Sequence, residues 1–168
     1  AINEHFVTES NDHLNDFANY LQHLIDTQQL AVVFDIQAFK ADIKKGIYFQ
    51  SSIPQGFGVG SSGALVAAVY GKYVAHKIDF ENAPNKQAIL ELKAVFAKME
   101  SHFHGNSSGV DPLICYLNLP LLIKGKDGIE PVKISLNNEG KGAIFLIDTG
   151  IARSTEPLVK YYMQRMEE

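Results

Sequence analysis

Glycines and serines form a loop that could hold phosphate. Residues 52–64 read Ser-Ile-Pro-Gln-Gly-Phe-Gly-Val-Gly-Ser-Ser-Gly-Ala, between a strand-like run at 47–53 and an apolar helical pattern. Glycine lets the backbone approach a ligand closely, and a helix N-terminus offers unpaired N–H groups. The hydroxyls of Ser61 and Ser62 add hydrogen bonds or a Mg²⁺ ligand. The alternative is a turn that only allows close packing, and the loop is neither a Walker loop nor a Rossmann fingerprint.

Two carboxylates flank a second loop, which is rich in Gly, Ser and Asn. Glu100 ends a long helical pattern, and Asp111 follows eleven residues later at the start of another apolar run. One carboxylate can hold Mg²⁺, which binds few carboxylates together with phosphate oxygens and water. The other can orient or deprotonate a hydroxyl nucleophile. The structural alternative, favoured for either residue alone, makes Asp111 a helix N-cap and Glu100 a solvated last-turn residue.

Together these segments resemble the GHMP kinases, a superfamily that includes galactokinase, homoserine kinase, mevalonate kinase and phosphomevalonate kinase. Their phosphate-binding motif is similar to residues 54–62, which read Pro-x-x-x-Gly-Val-Gly-Ser-Ser. The mevalonate kinase branch is the one that residues 100–111 resemble, with the pattern Glu-x-x-x-His-Gly-Asn-x-Ser-Gly-Val-Asp. A third stretch, 146–159, is similar to the segment that enters the second domain of these enzymes. Three motifs in the right order are more specific than any one of them.

The resemblance implies a role for each matching residue. Asp111 would be catalytic and act on the attacking hydroxyl, while Ser62 and Glu100 would hold Mg²⁺. Arg153 and Thr155 match a motif near the active site. The phosphates of ATP would be bound by the loop residues Gly58, Gly60, Ser61, Ser62 and Gly63.

The chain departs from the family pattern at three positions. Phe57 stands where a small residue is usual, Gly63 where alanine is usual, and Ser107 where proline is usual. His104 lies inside the tight Gly/Asn loop, where we expect it to orient backbone rather than take part in the chemistry. The phosphate-binding loop that the resemblance implies is compatible with these changes.

The activity implied by the resemblance is transfer of the γ-phosphate of ATP to a substrate hydroxyl, with Mg²⁺ as cofactor. Mevalonate would become 5-phosphomevalonate, a step of isoprenoid biosynthesis. The alternatives are a sugar kinase or phosphomevalonate kinase of the same superfamily, or a non-catalytic nucleotide-binding homologue. The family also has an N-terminal lysine segment and a C-terminal Gly-rich motif, which these 168 residues lack. We therefore expect an internal fragment that does not turn over alone.

The fold that the resemblance implies is α+β. Residues 1–140 would belong to a ribosomal protein S5 domain 2-like N-terminal domain, and 141–168 would begin a ferredoxin-like C-terminal domain. Apolar spacing predicts helices over 8–29, 61–76, 86–102, 111–116 and 157–166. Strand patterns occur at 47–53, 119–123, 129–136 and 143–148, the middle two as a hairpin. Residues 31–45 are ambiguous.

Composition narrows the class of protein. A hydrophobic content of 46% suffices for a packed core, and a net charge of −4 shows no electrostatic footprint for nucleic acid. The single cysteine, Cys115, rules out an internal disulfide framework, and its apolar run predicts a buried core thiol. Without a signal peptide or a long apolar run, we expect a cytoplasmic protein with no membrane partner. Its partner would be a small-molecule substrate, and a homodimer is left open.

Overall fold

The computed structural model describes residues 4–53, 57–77, 85–125, 128–132, 145, 147, 150–151 and 156–166. Helices dominate these residues, and two strands form an antiparallel hairpin in which Leu122 pairs with Glu130. In chain order the elements are α1 (Glu4–Asp26), α2 (Ile36–Lys44), α3 (Ser61–Tyr73), α4 (Lys86–His104), α5 (Val110–Leu117), β1 (Leu121–Lys124), β2 (Gly128–Pro131) and α6 (Glu156–Met166). The fold is therefore mixed α+β, as the sequence predicts.

The core lies between α1, α2, α3 and α4. Helix α1 contributes an apolar stripe at helical spacing, of which Phe17 and Leu21 are fully buried. Tyr70 of α3 joins the next two helices, because its ring lies edge-on to Phe96 at 4.9 Å and to Tyr116 at 5.0 Å. Aromatic pairs of this geometry add to the burial of their apolar surface. The rings thus hold α3, α4 and α5 together.

The helices begin in two different ways. Asp35 and Asn85 cap α2 and α4, since their side chains accept hydrogen bonds from Ala38 N and Ala88 N. Helices α3 and α5 follow Gly60 and Gly109 instead, both in the left-handed conformation and without a side-chain cap. The helix that carries Ser62 therefore begins with N–H groups that no side chain of its cap residue binds, whereas the first N–H of α5, that of Val110, donates to Ser108 Oγ.

The helices predicted from apolar spacing are confirmed. Their observed ends differ from the predicted ones by at most four residues, and α2 occupies part of the ambiguous stretch 31–45. The predicted hairpin is also confirmed, with shorter strands. The predicted domain boundary at residues 140–141 and all but residues 145 and 147 of the strand predicted at 143–148 lie outside the described residues. No described helix is both long and apolar enough to cross a membrane.

The strand predicted at 47–53 is not formed. Side chains of α1 bind this segment instead: Asn11 Nδ2 donates to Ile47 O at 3.0 Å, and Phe49 N–H donates to Ser10 Oγ at 2.9 Å. A strand needs a neighbouring strand for its backbone groups, and here α1 supplies those partners. The segment nevertheless leads into the glycine loop as predicted.

The prediction that Cys115 is a buried core thiol is wrong. Helix α5 buries Pro112 and Leu113, while Asp111 and Cys115 are exposed. Residues four apart share one face of a helix, so the face that carries Asp111 outward carries Cys115 with it. The apolar run is simply wider than the face that α5 buries.

Candidate active site

The glycine loop brings Ser61 and Ser62 into the first turn of α3. Gly58 and Gly60 have φ values of +69° and +79°, which side chains with a Cβ rarely adopt. The first N–H that bonds back into the helix is that of Ala64, which reaches Gly60 O at 3.0 Å. The three preceding N–H groups have no partner within the helix. This is the geometry in which helices bind phosphate and other anions.

Helix α5 places Asp111 beside that N-terminus. A Cβ added to Gly60 would lie 3.8 Å from Asp111 Oδ2, and one added to Gly63 would lie 2.8 Å from the backbone carbon of Asp111. These two glycines therefore let the helices approach to near backbone contact. Within the described residues, the carboxylate of Asp111 makes neither a hydrogen bond nor an ion pair.

The structure does not use Asp111 as a helix cap. Gly109 occupies the N-cap position of α5, and Asp111 is the second residue of the helix. A carboxylate in the first turn is still favoured by the helix dipole. The capping alternative therefore does not account for this residue, which leaves its carboxylate available for chemistry.

Glu100 is buried at the last turn of α4, with 3% of its surface exposed. Ser62 Oγ lies 3.1 Å from Glu100 Oε1, and Ser107 Oγ donates to Oε2. No Lys, Arg or His forms an ion pair with it among the described residues. Burying a carboxylate is costly unless it is well bonded, so the alternative of a solvated last-turn residue is wrong.

His104 belongs to the same network, because its Nε2 lies 3.0 Å from Ser62 Oγ. A hydroxyl has one proton, and Ser62 donates it to Glu100 Oε1, which leaves Ser62 without a further proton to donate. His104 Nε2 must then carry hydrogen and donate to Ser62. The sequence predicts a backbone role for His104, whereas the structure shows a contact with a site hydroxyl. Only the fold could show this contact.

Ser62 and Glu100 fit a Mg²⁺ site that a nucleotide would complete. No group of three or more His, Cys, Asp or Glu side chains in the described part of the chain could enclose a metal ion. Mg²⁺ does not need one, because it binds one or two protein oxygens together with phosphate oxygens and water. A buried carboxylate with only hydroxyl partners in the described structure, beside an anion-binding helix end, has the required chemistry.

A cleft of about 680 Å³ opens between α1, residues 49–53 and the adjoining ends of α3 and α4. Ser61 and Ser62 line it, and so do the carboxylates of Glu9 and Asp16. Its described lining contains neither Lys nor Arg and does not include Asp111. The N-terminal end of α3 thus borders a cleft through Ser61 and Ser62 and lies close to Asp111 through Gly60.

The structure brings together most of the predicted site. Ser62 forms a hydrogen bond with Glu100, and Gly60 and Gly63 lie against Asp111. Ser61 lies next to Ser62 in the first turn of α3. Arg153 and Thr155 lie outside the described residues. Sequence reasoning missed the role of Ser107, as it missed the side-chain contact of His104 with Ser62. Ser107 drew notice only as a departure from the family pattern.

Comparison with known proteins found one family match. The family model described as "GHMP kinases N terminal domain" matches residues 15–118, which include the glycine loop, Glu100 and Asp111. No curated protein and no solved structure matched the chain. The matched residues make up more than half of the 168. The chain therefore belongs to the GHMP kinase family.

Proposed function

We propose that this chain is the nucleotide-binding part of a kinase that phosphorylates mevalonate to 5-phosphomevalonate. Membership of the GHMP kinase family indicates an ATP-dependent kinase. The choice of mevalonate rests on the sequence pattern of residues 100–111. The observation that carries the kinase mechanism is the convergence of Ser62, Glu100 and Asp111 around the first turn of α3.

Each of these residues has a distinct task in the proposed reaction. The open N–H groups of α3 and the hydroxyls of Ser61 and Ser62 would bind the phosphates. Ser62 and Glu100 would hold Mg²⁺, which supplies charge neutralisation when bound. Asp111, whose carboxylate is free in the described structure, would orient the acceptor hydroxyl and take its proton. Phosphoryl transfer leaves little covalent work to the protein, so positioning these groups suffices.

The cleft beside Ser61 and Ser62 would hold the nucleoside of ATP. Glu9 and Asp16 can accept hydrogen bonds from the hydroxyl groups of a nucleoside, and the described lining has neither Lys nor Arg. Asp111 does not line this cleft. The acceptor hydroxyl of mevalonate would therefore lie outside the cleft, at Asp111.

The test is mevalonate-dependent ADP release by the full-length gene product with Mg²⁺, and with galactose, homoserine and phosphomevalonate as alternative acceptors. We expect turnover with mevalonate. The isosteric change Asp111→Asn should leave the Kd for ATP within about twofold and lower kcat by about 10²–10⁴-fold, as for a lost general base.

Each other outcome points to a different conclusion. Turnover with another acceptor keeps the kinase mechanism and replaces the substrate. Tight ATP binding without turnover on any acceptor supports the non-catalytic homologue. A kcat for Asp111→Asn equal to that of the unchanged protein would remove Asp111 from its proposed role.

Three further expectations stay proposals. Residues 1–140 would form part of an S5 domain 2-like domain and 141–168 the beginning of a ferredoxin-like domain, with Arg153 and Thr155 near the active site. The protein would act on a small molecule in the cytoplasm. Residues 1–168 alone would not turn over, and steady ADP release above that of their Asp111→Asn variant would contradict this.

A further inference from the structure

Ser107 joins the candidate metal ligand to the loop that carries the catalytic candidate. Its hydroxyl donates to Glu100 Oε2 and accepts the N–H of Gly109 at 3.0 Å. Gly109 is the N-cap of α5, two residues before Asp111. One hydroxyl group therefore touches both halves of the site.

The carboxylate of Glu100 is oriented by a hydroxyl at each oxygen. Oε1 is bound by Ser62, and Oε2 is bound by Ser107. Ser62 also contacts His104 and has a proposed task at the nucleotide phosphates. Ser107 has no such second task, so it is the partner that can hold Glu100 whether or not a nucleotide is bound.

The backbone behind Ser107 is packed tightly against α4. Gly109 has a φ of +72°, and a Cβ added to it would lie 2.6 Å from Ala97 N and would also overlap Lys93 O. Glu100 belongs to the same helix. The hydroxyl of Ser107 thus lies between Glu100 Oε2 and Gly109 N–H, and packing against α4 fixes the distance between these two groups. If the hydroxyl is removed, a small shift of the loop cannot replace its hydrogen bonds.

We propose that Ser107 is a positioning residue for the binding of Mg²⁺ and nucleotide, because it aims the Glu100 carboxylate at Ser62 and the end of α3. The inference rests on the proposed function. The family resemblance leads one to expect proline here, which has no side-chain hydroxyl. The link is therefore a property of this chain rather than of the family pattern.

The test measures the Kd of ATP by calorimetry on the full-length protein, once with Mg²⁺ and once with EDTA. For Ser107→Ala we expect about tenfold weaker binding with Mg²⁺, in the range found for residues that orient metal ligands, and a change of less than about twofold with EDTA. Ser101→Ala is the matched control, because Ser101 Oγ bonds to Ala97 O at 2.7 Å on the same helix. It should change neither value.

A second pair of variants separates the hydroxyl from the shape of the side chain. Ser107→Thr keeps the hydroxyl and Ser107→Val replaces it by a methyl group of similar size, so threonine should bind ATP with Mg²⁺ about tenfold more tightly than valine. This pair decides the matter if the alanine variant does not fold. Equal Mg²⁺-dependent binding by the two would overturn the inference, and so would equal losses with Mg²⁺ and EDTA. An unchanged protein that binds no ATP would instead overturn the proposed function, and the inference with it.

Discussion

The close approach of α3 and α5 predicts that a methyl group at Gly63 is harmful. The added Cβ would lie 2.8 Å from the backbone carbon of Asp111 and from Pro112 N, and 2.9 Å from Asp111 Cβ. None of these atoms can rotate away, so α5 has to move. Relief to ordinary contact distance requires a displacement of about 0.6 Å. The family resemblance leads one to expect alanine at this position, so the family pattern alone would predict that Gly63→Ala is tolerated, whereas the structure predicts that it is harmful.

The free-energy cost follows from two opposing effects. Overpacking of a well-packed contact costs about 1–3 kcal/mol, while alanine is about 1 kcal/mol better than glycine inside a helix. Gly63→Ala should therefore lower the free energy of unfolding by up to about 2 kcal/mol. Gly71 in the same helix is the matched control, because a Cβ there would lie 3.6 Å from Tyr116 Cε2, an ordinary contact. Gly71→Ala should be neutral or stabilising by up to about 1 kcal/mol.

The same displacement should affect catalysis more than ATP binding. It moves Asp111 relative to the proposed phosphate-binding end of α3, and a misplacement of about 1 Å can cost about 10²-fold in rate. For Gly63→Ala we expect kcat to fall by about tenfold with a nearly unchanged Kd for ATP. Gly71→Ala should leave both values as they are.

Urea unfolding followed by far-ultraviolet circular dichroism measures the difference directly. The free energies of unfolding of the two variants should differ by about 1–3 kcal/mol. Both variants gain the same helix propensity, so this difference measures the steric effect alone. A Gly63→Ala protein as stable as Gly71→Ala, with unchanged kcat, would refute the claim that α3 and α5 meet at backbone distance.

Two further measurements probe single side chains. Burial of part of its surface raises the pKa of the Cys115 thiol, with smaller contributions from Asp111 and Glu100. Because the thiol is exposed, iodoacetamide at pH 8 should label it fully in the native protein. Because its pKa is raised, this labelling should be slower than in the unfolded chain. A thiol that reacts only after unfolding would contradict its placement on α5. The hydrogen bond from Lys72 is the main cause that lowers the pKa of Asp42 below 3.8, so its stabilisation is present above that value and is lost as the pH falls through the folded pKa. Urea unfolding of Asp42→Asn and the unchanged protein should differ near pH 6 and converge in acid, whereas a constant difference would speak against the ion pair.

Local pattern was enough to predict the helices. In α4, the residues at helical spacing that predict a buried face, among them Ile89, Phe96 and Met99, are fully buried. Helix formation depends on neighbours within a turn or two, so a single sequence contains the information. The hairpin is equally local, because its turn and both strands lie within eleven residues.

Predictions that needed a distant partner were less reliable. The run at 47–53 has the composition of a strand, but the side chains of Ser10 and Asn11 in α1 form hydrogen bonds with its backbone. Cys115 lies in an apolar run, but which side of α5 is covered depends on how α3 packs against it. Neither partner can be read from the few residues around the segment itself.

The sequence alone determined which residue types stand at the candidate site: the glycine loop, Ser62, Glu100 and Asp111, in an order that resembles the GHMP kinases. Only the tertiary structure decided that Glu100 is buried, that Ser107 and His104 join its network, and that Asp111 lies beside the start of α3. The reason is distance along the chain. Ser62 lies 38 residues from Glu100, and such contacts depend on how whole helices pack around Tyr70 rather than on any local spacing.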